Sequence, residues 1–246
     1  MAKIKNAHPK QSGGGYERLV GNQAMAEIFT KAQSTIISNG TELEKIISDK
    51  ATIIHNLDEF IDGCDNRTIA DGAYLCTKKV IKISKYKLDK HEPDFVAFTL
   101  DKAKNLCYVV ELKDGDAFDT KKSAAEKEML QAFVNHLAPL IPFRTKCFIC
   151  CFNQLDKAKI VVGFKNAFTE EEVMTGKEFC EILGIDYDKI IELRKNDTSD
   201  NFQYVVEKMT EIPEVKKAVV VEQRKHIVQN EFYDDQDAEE CADENT

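Results

Sequence analysis

The sequence predicts an α/β protein in which helices flank a central mixed β-sheet and extra helices lie at both ends. Two apolar runs rich in β-branched and aromatic residues, 95–98 and 106–112, stand on either side of a polar turn, which is typical of an antiparallel hairpin. A helical pattern over about 120–138 follows, and two further strand-like runs come after it. A helix between strands favours a parallel crossover connection, so the sheet contains both kinds of pairing.

Length and composition favour one globular domain with flexible ends. The chain has 246 residues, of which 43% are hydrophobic, enough to fill a sizeable core. We expect a flexible N-terminal arm at 1–15 and a single domain at 16–228. Its core lies at about 40–165 and its C-terminal helical part at about 166–228. Residues 229–246 are acidic and without apolar periodicity, which predicts a disordered tail.

The net charge of −9 does not exclude nucleic acid as a partner. Eight acidic residues follow position 230, and without them the formal charge is close to −1. A nearly neutral domain can hold a local basic groove. The sequence has no apolar run near the roughly eighteen residues that span a bilayer, and its start does not resemble a signal peptide. We therefore expect a cytoplasmic protein without membrane contact.

Four of the eight cysteines are interpreted as free thiols rather than disulfide partners. Cys107, Cys147, Cys150 and Cys151 lie in apolar strand-like runs, where a cysteine behaves as a small hydrophobe. Cys147 and Cys150 lack a second cysteine or histidine pair at zinc-finger spacing, so a zinc site is not expected.

Helices are predicted first along the chain. Apolar residues recur at helical spacing over 16–38, with an interruption near Gly21-Asn22. A second helix is expected after Gly40, with Thr41 as N-cap and Glu44 at its third position. Residues 52–76 indicate a further short helix and irregular structure.

A lysine-rich stretch, 77–90, is interpreted as the strand that precedes the hairpin. It carries six lysines and one aspartate. Lys82 and Lys85 are candidates to neutralise DNA phosphates beside the hairpin. A solvated edge strand explains the same composition, because lysine also prevents edge-to-edge aggregation.

The hairpin itself brings two acidic residues together. A loop at 101–104 places Asp94 opposite Glu111, and strand alternation puts Lys113 on the face of Glu111. Opposed Cβ atoms lie about 5 Å apart, so two ionised carboxylates repel unless a cation lies between them. Mg²⁺ suits such a pair, since it takes one or two carboxylates together with waters and a phosphate. The alternative is an ordinary hairpin with solvated charges at its ends.

These residues resemble a known family. Pro93-Asp94, sixteen residues, and then Glu111-Leu112-Lys113 resemble the signature of the PD-(D/E)xK nuclease superfamily. The following stretch, 114–123, resembles its type II restriction endonuclease branch. The resemblance implies a restriction-endonuclease-like core and a Mg²⁺-dependent, site-specific DNA endonuclease that leaves a 5′-phosphate.

The resemblance also assigns roles and partners. Asp94 and Glu111 hold the metal, the Leu112 carbonyl completes its protein ligands, and Lys113 positions the attacking water or helps to deprotonate it. The expected substrate is double-stranded DNA, and a homodimer is expected because cleavage of both strands usually needs two symmetric subunits.

One helix glutamate resembles the acidic residue that many family members add to the metal shell. Glu44 is the first choice, ahead of Glu42, Glu27 and Glu17. A capping role for Glu44 explains the pattern equally well.

The helix after the hairpin offers further candidates. Asp119 or Thr120 caps it, and Lys121 and Lys122 on its first turn are candidates for the DNA backbone, because a helix N-terminus already favours phosphate. Gln131 resembles a polar position behind the active site of related nucleases, with Glu128 as the alternative. The alternative for all four side chains is an ordinary solvent-facing helix position, which for Gln131 and Glu128 explains the pattern equally well.

The remaining runs complete the fold. Residues 145–152 are apolar on both faces, which indicates an interior strand, and 158–164 are interpreted as another strand. From about residue 170 the pattern is helical, with one helix ending at Gly184 and others at 187–195 and 201–209. Residues 215–228 fit either a helix or a strand.

Three other functions share parts of this pattern. A DNA repair or junction-resolving nuclease would use the same triplet, and branched substrates would reveal it. A non-catalytic DNA-binding module would keep the fold without cleavage. An acidic interaction factor is suggested by the tail alone.

Overall fold

The fold of the chain is seen in a computed structural model that describes residues 2–9, 14–101 and 104–225. Contacts divide the described chain into a compact unit of residues 37–195 and a second unit that contains the described residues of 2–36 and 196–225. The domain boundaries predicted from the sequence stay predictions, and the predicted acidic tail, 229–246, lies outside the described residues. In the predicted arm, Ile4–Asn6 form a 3₁₀ turn and Ile4 is buried.

A five-stranded mixed sheet forms the centre of the larger unit, which confirms the predicted α/β class. Its strands are adjacent in chain order: β1 (Gly72–Thr77), β2 (Phe95–Leu100), β3 (Leu106–Lys113), β4 (Arg144–Cys151) and β5 (Val173–Thr175). The first three strands pair antiparallel, and the pairs β3–β4 and β4–β5 are parallel. The predicted crossover is present, since a helix connects β3 to the parallel strand β4.

The helices account for most of the remaining described chain. They are α1 (Gly14–Val20), α2 (Gln23–Ser48), α3 (Leu57–Asp65), α4 (Lys78–Ile81), α5 (Thr120–Leu137), α6 (Lys157–Gly163), α7 (Gly176–Leu183) and α8 (Tyr187–Glu211). Ala138–Leu140 form a 3₁₀ turn, and residues 213–225 are helical. In the described part of the chain, no helix combines the length and apolar character that a membrane span requires.

Both faces of the sheet are buried. On one face Phe98 and Val109 pack with Phe133 of α5, and on the other Phe95 and Val110 pack with side chains of α2 and α7. Side chains alternate along a strand, so Val110 and its neighbour Glu111 point to opposite faces. Glu111 therefore lies on the face that α5 covers.

The predicted strand at 77–90 is wrong. The strand that pairs with β2 is β1, at 72–77, and residues 78–81 form the short helix α4. Leu75 and Cys76 of β1 are fully buried. The lysine-rich stretch offers too few apolar side chains in alternation, and it buries Ile81 at the end of α4 and Tyr86 in a turn instead.

The predicted strand at 158–164 is also wrong, because those residues form helix α6. The Asp156 side chain caps this helix by accepting hydrogen bonds from the N–H groups of Ala158 and Lys159. The fifth strand is β5, in a stretch whose pattern was interpreted as helical. A short apolar run is compatible with a strand and with a helix, and here the N-cap at Asp156 favours the helix.

The predicted helix start at Thr41 is wrong as well. Helix α2 continues through Asn39-Gly40, so Thr41 caps nothing. Leu43 and Ile47 on its C-terminal half are fully buried. That burial outweighs the cost of a helical glycine, about 1 kcal/mol. The predicted helices at 187–195 and 201–209 likewise form one helix, α8.

Candidate active site

Asp94 and Glu111 meet at one end of the hairpin. The ladder pairs Phe95 with Val110, so the next position along it brings Asp94 opposite Glu111, as the loop length predicted. The Asp94 N–H donates to Oε2 of Glu111 at 3.3 Å. The two residues are only 9% and 7% exposed. Two acidic side chains are thus held close together in a poorly hydrated position.

Lys113 lies on the same strand face as Glu111 and contacts two carboxylates. Its Nζ is 2.8 Å from Oε1 of Glu111 and 2.7 Å from Oε1 of Glu126, on α5. Glu126 was not among the predicted site residues. A signal was present, since Glu126 stands four and seven residues before the buried Leu130 and Phe133, on the helix side that faces the sheet.

The backbone of Leu112 contributes to the same place. Its N–H donates to Oδ2 of Asp94 at 3.1 Å. In a strand, the N–H and C=O groups of one residue point to the same edge, so the Leu112 carbonyl also faces the Asp94 side. This carbonyl is the group predicted to complete the metal ligands.

Lys78 is a second lysine at the site that the sequence analysis missed. Its Nζ lies 3.3 Å from Oδ1 of Asp94, and its N–H donates to the Asp94 carbonyl. The β1–β2 register pairs Thr77 with Phe95, which brings Lys78 opposite Asp94. The pairing was not predicted, because the first strand was expected at 77–90 and not at 72–77.

Glu44 of α2 joins the electrostatics of the site. Burial raises the pKa of Glu44, and the charge of Asp94 raises it further, while Lys78 and Lys113 oppose both effects. The structure thus brings Glu44 within electrostatic range of the site, although its predicted N-terminal helix position is wrong.

The acid pair is poorly neutralised in the absence of a cation. Burial and the charge of Asp94 together raise the pKa of Glu111 to about 7, and Lys113 only partly offsets them. Burial alone would lower the pKa of Lys113, but the carboxylates of Glu111 and Glu126 outweigh it and raise that pKa. The pKa of Lys78 is raised in the same way, mainly by Asp94.

These residues fit a small divalent cation. Among the described residues, no group of three or more His, Cys, Asp or Glu side chains is arranged to hold an ion. An ion at the acid pair would therefore have two side-chain ligands, Asp94 and Glu111. Mg²⁺ commonly takes one or two carboxylates and keeps several waters. Four nearby carboxylates (Glu44, Asp94, Glu111, Glu126) and two ammonium groups (Lys78, Lys113) give a formal charge of −2, which a divalent ion balances.

The end of β3 is fixed by a polar anchor. The Asp114 carboxylate pairs with the buried guanidinium of Arg194 and accepts from the Asn153 side-chain amide at 2.8 Å. This anchor directly follows Lys113 in the chain, so it holds the strand end that carries the triplet.

The predicted DNA-contacting side chains lie on exposed surface. Lys121 and Lys122 are on the first turn of α5, and the Asp119 carboxylate caps that turn by accepting from the Lys122 N–H at 2.9 Å. A shallow cleft beside the site is lined by Lys90, His91, Lys122, Ala125, Glu126, Glu128 and Met129.

The other predicted contacts differ in their surroundings. Lys82 follows α4 and is exposed, whereas the Nζ of Lys85 pairs with Asp62 at 3.1 Å. Gln131 is exposed on α5, and Glu126 is the α5 residue that contacts Lys113.

Comparison of the sequence with known proteins assigns the chain to a family. No family model matches the chain. No solved structure matches it either. The sequence is 45% identical over 224 residues to the type II restriction enzyme HhaII of Haemophilus parahaemolyticus, an alignment that covers 89% of this chain and 98% of the relative. With that identity over nearly the full length of both proteins, the chain belongs to the type II restriction enzymes, which are site-specific deoxyribonucleases.

Proposed function

We propose that this protein is a Mg²⁺-dependent endonuclease of the PD-(D/E)xK type, which hydrolyses phosphodiester bonds at specific sites in double-stranded DNA. The observation that carries the proposal is the meeting of Asp94, Glu111 and Lys113 at the ends of paired strands. The family membership supports the substrate and the reaction class.

Asp94, Glu111 and the Leu112 carbonyl would hold the metal ion. When bound, Mg²⁺ lowers the pKa of a coordinated water and neutralises charge that develops on the phosphate. Glu44 is proposed as an additional acidic residue that reaches the ion directly or through water. Its electrostatic coupling to Asp94 supports this role.

Lys113 acts as a positioned ammonium group. An ammonium has three N–H donors, and Glu111 and Glu126 engage two of them. The third is available to a phosphate oxygen or to the attacking water. A cation fixed where negative charge develops stabilises the transition state without reorganisation.

The reaction is a hydrolysis with one displacement at phosphorus. A water oxygen forms a bond to phosphorus while the P–O3′ bond breaks. The water loses a proton to solvent, and the departing 3′ oxygen gains one. The products are a 5′-phosphate and a 3′-hydroxyl, as the family resemblance implies.

The DNA backbone is proposed to pass Lys121 and Lys122, with Lys82, Lys85 and Gln131 as further contacts. The exposed lysines on the first turn of α5 and the adjoining cleft support this path. We also propose a homodimer, because cleavage of both strands at one site calls for two active sites related by symmetry. Sedimentation of the protein with and without a duplex tests the oligomeric state.

Digestion of a plasmid of known sequence tests the function. Wild type with Mg²⁺ should give discrete fragments with 5′-phosphate ends, and a chelator should abolish them. Asp94→Asn and Lys113→Ala should lower the cleavage rate by about a hundredfold or more. Asp71→Asn, at an exposed position before β1, is the matched control. Full activity of Asp94→Asn would overturn the proposal, and nicking restricted to branched DNA would reassign the substrate.

A further inference from the structure

Two lysines lie at the acid pair, and their surroundings differ. Lys113 touches two carboxylates at 2.8 Å or less, and its side chain is 18% exposed. Lys78 has a longer contact, 3.3 Å to Asp94, and its side chain is 39% exposed. Lys113 is therefore enclosed in the site, whereas the Lys78 side chain is more accessible from solvent.

The backbone of Lys78 is held by two hydrogen bonds. Its N–H donates to the Asp94 carbonyl at 2.9 Å, and the Lys82 N–H donates in turn to the Lys78 carbonyl across α4. The Cα of Lys78 is thus held beside Asp94, and a flexible four-carbon side chain joins the ammonium group to it. A flexible side chain on a fixed backbone can exchange one anionic partner for another without refolding.

A cation bound at Asp94 would favour a change of partner by the Lys78 ammonium group, from Asp94 to a DNA phosphate. A divalent cation on Asp94 would compete with the Lys78 ammonium group for the same carboxylate, because like charges at that distance repel. The incoming DNA brings a phosphate, an anion that a displaced lysine can bind through charge-assisted hydrogen bonds. Without Lys78, the ion-loaded site would carry one excess negative charge towards an anionic substrate.

We propose that Lys78 is a second cationic catalytic residue, which leaves Asp94 when the site is loaded and binds a non-bridging oxygen of the phosphate that is cleaved. This inference rests on the proposed function and adds a substrate contact outside the Asp-Glu-Lys triplet. A purely structural Lys78 would only neutralise Asp94.

The first test separates kcat from KM. Lys78→Ala should lower kcat by about a hundredfold, the usual effect of removing one group that stabilises charge in the transition state. Lys78→Arg should recover at least a tenth of the wild-type kcat, because it keeps a cation at this position. The matched control is Lys79→Ala, the same charge change at the exposed neighbouring residue of α4. A wild-type kcat for Lys78→Ala would overturn the inference.

The second test measures binding without cleavage, with Ca²⁺ in place of Mg²⁺. It compares a duplex with a normal cleavage-site phosphate and one with an uncharged methylphosphonate there. Wild type and Lys79→Ala should bind the uncharged duplex about tenfold more weakly than the normal one, and Lys78→Ala should show little difference. If Lys78→Ala and wild type lose the same factor of affinity for the uncharged duplex, Lys78 has a structural role and does not contact the phosphate.

The two hypotheses fail in different ways. If Asp94→Asn cleaves DNA at the wild-type rate, the proposed function is contradicted. If Asp94→Asn is inactive and Lys78→Ala keeps its kcat, only the Lys78 inference falls. Circular dichroism and thermal unfolding of each variant show whether it is folded before its kinetics are compared.

Discussion

The Nζ of Lys113 lies 2.7 Å from Oε1 of Glu126, and this contact connects the triplet on β3 to helix α5. A lysine side chain has four rotatable bonds and loses about 2 kcal/mol of conformational entropy when fixed. Two carboxylates on either side of the ammonium group offset that cost. Glu126 is therefore proposed as the residue that positions Lys113.

Replacement of Glu126 by Gln should lower kcat about tenfold and leave KM nearly unchanged. The amide cannot hold the ammonium group by charge, so Lys113 samples other rotamers. Steady-state cleavage of a linear duplex measures both constants. Glu126→Asp should have a kcat between those of Glu126→Gln and wild type, because it keeps the carboxylate on a shorter side chain that ends farther from Lys113. Glu181→Gln, exposed on α7, is the control, and an equal kcat in both Gln variants would contradict the positioning role.

The raised pKa of Glu111 predicts a pH-dependent stability in metal-free buffer. The folded state binds the Glu111 proton more tightly than the unfolded state does, with a pKa of about 7 against a usual 4.5. The raised pKa of Glu111 therefore makes its full contribution to the free energy of unfolding below about pH 4.5. That contribution is lost as the pH rises to about 7. The loss is about 3 kcal/mol at most.

Urea unfolding of wild type and Glu111→Gln between pH 4.5 and 8 measures this effect. The free energy of unfolding of wild type, relative to the variant, should fall across that range. Addition of Mg²⁺ should restore it at pH 8, because a bound cation favours the ionised carboxylate. A difference between the two proteins that does not change with pH would contradict the assignment.

Lys121 and Lys122 predict a measurable salt dependence of DNA binding. Each lysine that neutralises a phosphate contributes about 0.9 to the slope of log K against log salt concentration. Lys121→Ala and Lys122→Ala should each reduce that slope by about this amount, as measured by fluorescence anisotropy on a labelled duplex. Lys177→Ala, at an exposed position of α7, should leave it unchanged. Wild-type slopes in both test variants would remove these lysines from the interface.

Gly163 predicts a steric requirement beside the triplet. A Cβ atom there would lie 1.7 Å from the backbone oxygen of Asp116, in the segment after Lys113. The Gly163 carbonyl also accepts from the Phe118 N–H at 3.1 Å. Gly163→Ala should lower the free energy of unfolding by about 2 kcal/mol or more, because the backbone must move.

Gly115 in the same segment provides the control, since nothing lies within 4 Å of a Cβ built on it. Urea unfolding of Gly163→Ala and Gly115→Ala compares the two sites directly. Equal stability of the two variants would contradict the close packing of α6 on this segment.

The central hairpin was predictable because its information is local. The Asp94–Glu111 pairing follows from strand alternation and loop length, which involve neighbouring stretches of chain. Helix α5 was predictable for the same reason, since Asp119 caps it and its apolar residues recur at helical spacing. The end of α7 at Gly184 follows from a glycine in the left-handed conformation, φ 67°.

The edge strands were not predictable, because local patterns at those places fit two structures. The apolar run of α6, which spans Lys157–Gly163, fits a strand as well as a helix, so its periodicity does not decide between them. Strand β1 was missed because Leu75 and Cys76 become buried only through pairing with β2.

By itself the sequence determined the mixed sheet, the helix that crosses it, and the two acids and the lysine that meet at the hairpin end, because short-range periodicity encodes all of these. Only the tertiary structure decided that Glu126 engages Lys113 and that Lys78 faces Asp94. Those contacts join elements that are distant in the chain, and the register of the sheet and the packing of α5 upon it bring them together.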